Sequence, residues 1–102
     1  MKHIILVCAA GMSTSLLVNK MKAAAADAGK EVHIQAMPAS TFANYKDPVD
    51  VLLLGPQVSY LEKELKAACE PKGIKVQVIN MMDYGMMNGK KVLENACELM
   101  EA

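Results

Sequence analysis

The chain has no arginine; all eleven of its basic residues are lysines. Without a guanidinium fork, any phosphate chemistry here must proceed without a bidentate side-chain clamp. Charge of one sign is lacking too, since the formal net charge is zero, and a basic surface for nonspecific nucleic-acid binding is not expected. No segment approaches the roughly 20 apolar residues that cross a bilayer. The apolar N-terminal run ends at Val7 and Cys8 with no export-type core or cleavage site. Three cysteines, at positions 8, 69 and 97, include no CxxC pair. Their spacing fits neither a disulfide framework nor a zinc site, and the odd count fits a reducing, cytosolic setting. No linker, repeat or low-complexity stretch interrupts the chain.

What is present is apolar patterning. Hydrophobic residues make up 53% of 102 positions, enough for one domain spanning 1–102 and too few for two. Strand-like stretches fall at about 2–7, 31–37, 49–54 and 74–79. Helical periodicity falls at about 14–28, 58–70 and 89–101, with a weaker helix near 40–45. Such alternation predicts a parallel sheet covered by helices, an α/β fold. Ile4-Ile5-Leu6-Val7 and Val51-Leu52-Leu53-Leu54 are continuously apolar, as in strands buried on both faces. Val32–Ala36 and Ile74–Val78 alternate, as edge strands do. The predicted sheet is therefore four-stranded, open, in the order 2-1-3-4, with helices on both faces and right-handed crossovers. Ligands of such sheets bind at the carboxyl ends of the strands, beside the point where the order reverses. The loops after strands one and three meet there.

The first of these loops carries the chemistry. Cys8 ends strand one; Ala9, Ala10, Gly11 and Met12 follow, and Ser13, Thr14 and Ser15 open a helix. A thiol in that position faces unpaired backbone N–H groups and the positive end of a helix dipole. The setting lowers a cysteine pKa and cradles a phosphoryl group. Residues 9–15 are the candidate phosphate-binding loop, and Cys8 is the candidate nucleophile that carries phosphate. Gly11 lets the backbone turn and approach a ligand. The three hydroxyls either cap the helix or donate to phosphate oxygens, and capping needs only one of them. Lys20 and Lys22 lie along the helix as solvated charges.

Other residues fall into place around this loop. Gly55-Pro56-Gln57 ends strand three at the same edge; it serves either simply to stop the strand and start a helix or, beside the thiol loop, to give Gln57 a supporting or partner-contact role. Met81-Met82-Asp83-Tyr84-Gly85-Met86-Met87 follows strand four, also at that edge. Four methionines in seven loop residues, with Met12 nearby, suggest an adaptable docking surface in which Met81, Met82 and Tyr84 are candidates. Core packing is the alternative use of those methionines. Asp83 reads as an exposed loop aspartate. Cys69, on one helical face with Val58, Leu61 and Leu65, reads as core, as does Cys97 with Leu93 and Met100. His3 and His33 belong to strands away from the loop edge and read as structural.

The stretch IILVCAAGMSTSLL (residues 4–17), with VLLLGPQV (51–58) and Tyr84-Gly85, resembles enzyme IIB subunits of the lactose/cellobiose class of the bacterial sugar phosphotransferase system. The likeness covers essentially the whole chain. It implies a transferase in which Cys8 takes phosphate from a phosphohistidine on a IIA phosphocarrier. Cys8 then passes it to a β-disaccharide of the cellobiose, chitobiose or lactose type held by the membrane transporter IIC. It also implies a cytoplasmic protein, peripheral to the membrane through IIC. Thiolate attack and departure need no metal, added base or cofactor, so none is expected. The amides stabilise charge and the partner supplies positioning.

The low-molecular-weight tyrosine phosphatases share this loop layout, with a C-x5-R-[ST] signature. Here Thr14 stands at the arginine position, followed by Ser15. A hydrolase of that kind is one alternative and a thiol redox sensor is another. A phosphoaspartate receiver would need an aspartate ending strand three, where this chain has Leu54-Gly55.

Overall fold

The computed structural model describes residues 2–8 and 12–101, the last of these and residues 12, 13 and 14 by backbone only. Four strands, β1 (Lys2–Cys8), β2 (Val32–Pro38), β3 (Val51–Leu54) and β4 (Lys75–Val78), form one sheet in the order β2-β1-β3-β4. Every pairing is parallel. The order follows from which strands can lose both faces to the core. Ile4 to Cys8 and Val51 to Leu54 are all buried, whereas β2 and β4 alternate or are half-covered.

Successive residues of the central strands feed opposite cores. Ile4, Leu6, Val51 and Leu53 pack against Leu17, Met21, Ala25, Leu93 and Ala96 on one side. Those partners come from α1 (Met12–Asp27) and α5 (Gly89–Glu101). Ile5, Val7, Leu52 and Leu54 pack against Met37, Val58, Cys69 and Val76 on the other side. That face is covered by α2 (Ala39–Phe42), a 3₁₀ run at Pro56–Leu61 and α3 (Glu62–Cys69). Each fully buried Leu or Ile adds about 1.5–3 kcal/mol relative to exposure, so β1 and β3 anchor the sheet. Leaving one face for the other after β2 is what reverses strand order between β1 and β3.

Three boundaries differ from the sequence expectation. The helix predicted over 58–70 begins as a 3₁₀ run at Pro56, bends at Val58 (φ −117°, ψ 24°), and is α-helical only over Glu62–Cys69. Proline sets the first turn there, and Pro71 sits in a short 3₁₀ turn after it. The apolar face survives because 3₁₀ and α turns both align positions i and i+3. The helix predicted from residue 14 starts at Met12. The methionine-rich segment predicted as loop contains a helix, α4 (Met81–Gly85). Asn80 nucleates it: its Oδ1 accepts from the N–H groups of Met82 (2.8 Å) and Asp83 (3.2 Å). α1 and the 3₁₀ turn after α3 end on Gly29 (φ +68°) and Gly73 (φ +79°). In each, the following residue donates to a carbonyl five positions back, Lys30 to Ala25 and Ile74 to Cys69.

Candidate active site

Cys8 is the last residue of β1, its Cα paired with Pro38 of β2, and it is 3% exposed. Four residues later α1 begins, and its first-turn amides lack intrahelical acceptors. The thiol is thereby held at the carboxyl edge of a central strand, close in sequence to a helix N-terminus. Ala9, Ala10 and Gly11 of the expected phosphate loop lie outside the described residues, as do the side chains of Met12, Ser13 and Thr14. Because α1 opens at Met12, Ser13, Thr14 and Ser15 fall within its first turn rather than before it. Capping by the residue ahead of a helix is therefore not their place. Ser15 is exposed.

The end of β3 closes against this edge. The Gly55 N–H donates to the Val7 carbonyl at 2.9 Å, one residue before the thiol. A Cβ on Gly55 would stand 2.9 Å from Gln57 Oε1, 3.6 Å from Val7 O and 3.7 Å from Tyr84 Cε2. Three segments far apart in sequence, β1, the Gly55 loop and α4, thus converge over one glycine. Gln57 is otherwise exposed, whereas Tyr84 is 7% exposed and belongs to the α1/α5 core. Met81 and Met82 are 76% and 71% exposed, and Met86 is 70% exposed. Met87 instead packs on the core with a left-handed backbone (φ 53°). The methionine run therefore divides between surface and core, and Tyr84 sits with the buried part. Asp83 is half-buried within α4.

Two large apolar side chains that the sequence reading did not single out are also on the surface: Tyr60 at 76% and Leu16 at 51% exposure. Tyr60 lies in the 3₁₀ run that leaves Gly55, and Leu16 in the first turns of α1. The signal for Tyr60 was available, since it falls outside the Val58, Leu61, Leu65, Cys69 stripe.

The remaining thiols are core residues. Cys69 packs with Val58, Leu61 and Leu65, and Cys97 with Leu93 and Met100. Burial pushes the Cys69 thiol above its ordinary pKa, and nearby Lys72 opposes this in part. No cysteine is in a disulfide. Among the described residues, no group of three or more His, Cys, Asp or Glu side chains could hold a metal ion. No helix among them is long and apolar enough to cross a membrane.

A sequence model described as "PTS system, Lactose/Cellobiose specific IIB subunit" matches residues 3–95. The chain belongs to this family. Named relatives span nearly full length. The chain is 50% identical to the cellobiose-specific EIIB component of Lactococcus lactis subsp. lactis, covering 97% of this chain and 96% of that one. It is 46% identical to the oligo-beta-mannoside-specific EIIB component of Bacillus subtilis, with 98% and 97% coverage. It is 49% identical to the galactose-specific EIIB component of Lactococcus lactis subsp. cremoris. Among solved structures, the cellobiose-specific IIB component of Borrelia burgdorferi superposes with a TM-score of 0.79 at 40% identity, covering 98% of this chain and 92% of that one. The lactose-specific IIB domain of Streptococcus pneumoniae superposes with a TM-score of 0.86 over 96% of both chains; at 21% identity it bears on the fold alone. The chain is thus a sugar-specific IIB component of the lactose/cellobiose class of the phosphotransferase system.

Proposed function

We propose that this IIB component, acting as a single domain over 1–102, is a phosphocysteine carrier. It takes phosphate on Cys8 from a phosphohistidine of a IIA protein. It then delivers that phosphate to a β-disaccharide bound to the membrane transporter IIC. The observation that carries the reading is the position of Cys8, which ends a central strand at the switch point, four residues before α1.

The chemistry follows from that placement. The Cys8 thiolate attacks phosphorus, an S–P bond forms, and the P–N bond breaks with its electron pair on nitrogen, so that a phosphohistidine protonated on its other ring nitrogen leaves as neutral imidazole. In the second transfer a sugar hydroxyl attacks, an O–P bond forms, and the S–P bond breaks with its electron pair on sulfur, which takes up the hydroxyl proton as the thiol. Both steps concentrate negative charge on phosphoryl oxygens, where the positive end of the α1 dipole is best placed to act. Ala9, Ala10, Gly11, Met12, Ser13, Thr14 and Ser15 form the cradle in this reading. Gln57 and the Tyr84 ring brace the Gly55 side of the crevice, while Met12, Met81 and Met82 serve partner contact. Without an arginine to hold the phosphate in place for attack by water, the phosphocysteine survives until a partner arrives.

The test is intact mass after incubation with phosphoenolpyruvate, the general phosphocarriers and a IIA protein, for wild type and Cys8→Ser. One phosphoryl group gained by wild type alone, and only with IIA, is the expected result. No gain across several cognate IIA proteins, or steady turnover of an aryl phosphate, would overturn the carrier reading.

A further inference from the structure

At the end of the sheet opposite Cys8, two imidazoles stand side by side. His3 of β1 and His33 of β2 are direct register partners, and their ring centroids are 5.6 Å apart with planes tilted by 55°. Both positions share the face of Ile5, Val7 and Met37, because strand residues alternate. Cys8 lies five positions beyond His3 along β1, about 16 Å in an extended strand, so this pair takes no part in the thiol site.

We propose that His3 and His33 form a two-imidazole chelate for a borderline divalent cation such as Ni²⁺, Zn²⁺ or Cu²⁺. Imidazole nitrogen is a preferred ligand for these ions. A metal–nitrogen bond of about 2.1 Å, plus about 1.1 Å from nitrogen to ring centre, puts each centroid about 3.2 Å from a shared ion. Rings 5.6 Å apart then subtend about 120° at it, a small rotation from tetrahedral.

The surroundings prepare both ligands. His33 Nε2 lies 3.2 Å from Gln35 Oε1, a contact that fixes the orientation of the ring. An oxygen partner on the second nitrogen is the usual device for orienting a metal-binding histidine. His3 is held through its backbone. Its N–H donates to Asp50 Oδ2 at 2.7 Å, and its carbonyl accepts from the Asp50 N–H at 2.9 Å. No third protein ligand joins the two rings among the described residues, so water completes the shell and the site is open.

Ni²⁺ is the probe, because it favours nitrogen donors and leaves the thiols unoxidised. Calorimetric titration of the intact chain should show one Ni²⁺ bound, with affinity falling at least tenfold in His3→Gln and in His33→Gln. Gln35→Ala should weaken binding less than loss of either ring. Paramagnetic Ni²⁺ should broaden the imidazole proton resonances of both histidines together. Equal affinity in wild type and His33→Gln, or broadening confined to the exposed His33 ring, would overturn the chelate. His33 is exposed, so His33→Gln keeps the fold, and the result stands even if His3→Gln folds poorly.

Discussion

Gly89→Ala tests whether the two helices that cover one face of the sheet meet backbone to backbone. A Cβ at residue 89 would lie 2.6 Å from both the Lys20 carbonyl carbon and the Met21 nitrogen, and 2.7 Å from Lys20 Cβ. Ordinary contact begins near 3.4 Å, so the start of α5 must retreat from α1 by about 0.8 Å, against a core that resists such shifts. Two effects of opposite sign compete. Alanine gains up to about 0.8–1.0 kcal/mol over glycine as a helix former. Overpacking costs about 1–3 kcal/mol, nearer the upper end where the obstacle is backbone rather than a flexible side chain. The clash wins by about 1–2 kcal/mol, which for a domain of this size lowers Tm by roughly 4–16 °C.

Gly85→Ala supplies the control. It also adds a methyl group to a helical glycine, but nothing lies within 4 Å of the new Cβ, so its stability should hold or rise by up to about 1 kcal/mol. Urea and thermal unfolding followed by circular dichroism measure both variants, with the urea slope expected to stay constant. Gly89→Ala melting at or above wild type would refute the reasoning. So would two variants that move in the same direction by similar amounts.

Gly55→Ala should behave differently from Gly89→Ala, because its close contact at 2.9 Å is the movable Gln57 side chain and its other contacts are ordinary. Unfolding should change by less than about 1 kcal/mol while the Gln57 side-chain amide resonances shift; a loss like that of Gly89→Ala would show that Gln57 cannot move. Asn80→Ala removes the cap of α4 and should cost about 1 kcal/mol, with faster amide exchange at Met82 and Asp83; unchanged exchange would refute the capping role. The Cys69 pKa is raised by burial, and that of Tyr45 by desolvation and the Asp47 charge. For groups raised in this way, their contribution to stability is complete below the unfolded-state pKa and is lost as pH rises through the folded one. Urea midpoints should therefore fall on the alkaline side, and less steeply in Cys69→Ala; identical slopes would exclude the thiol as a source.

The fold was legible because its two central strands announce themselves. Only strands covered on both faces read Ile-Ile-Leu-Val and Val-Leu-Leu-Leu, and naming them central leaves few ways to order the other two. Local chemistry at helix ends was harder to read. Asn80 turns the methionine run into a helix through two hydrogen bonds, a device that hydrophobic periodicity does not register. Pro56 likewise tightened the start of a helix whose apolar stripe was already correct, since i and i+3 stay aligned in either geometry.

Position along the chain and position in the site carry different information, and the Cys8 edge separates them. The thiol, the small loop and the helix start are consecutive, so one stretch of sequence displays them together. The opposite wall is assembled from Val7, Gly55, Gln57 and Tyr84, residues up to 77 positions apart that meet only once the sheet register is set. A sequence shows that Tyr84 is aromatic and follows a strand, which suits a docking surface as well as a core. Burial decides between those uses. With its ring in the core beside Gly55, Tyr84 can transmit a displacement of α4 to the crevice, whereas exposed Met81 and Met82 can meet a partner directly. Tyr84→Ala should therefore cost about 3 kcal/mol or more in stability, while Met82→Ala should stay within about 0.5 kcal/mol yet slow phosphate uptake from IIA. A Met82→Ala protein that accepts phosphate at the wild-type rate would refute the contact role of this methionine, and a Tyr84→Ala protein of wild-type stability would refute the division itself.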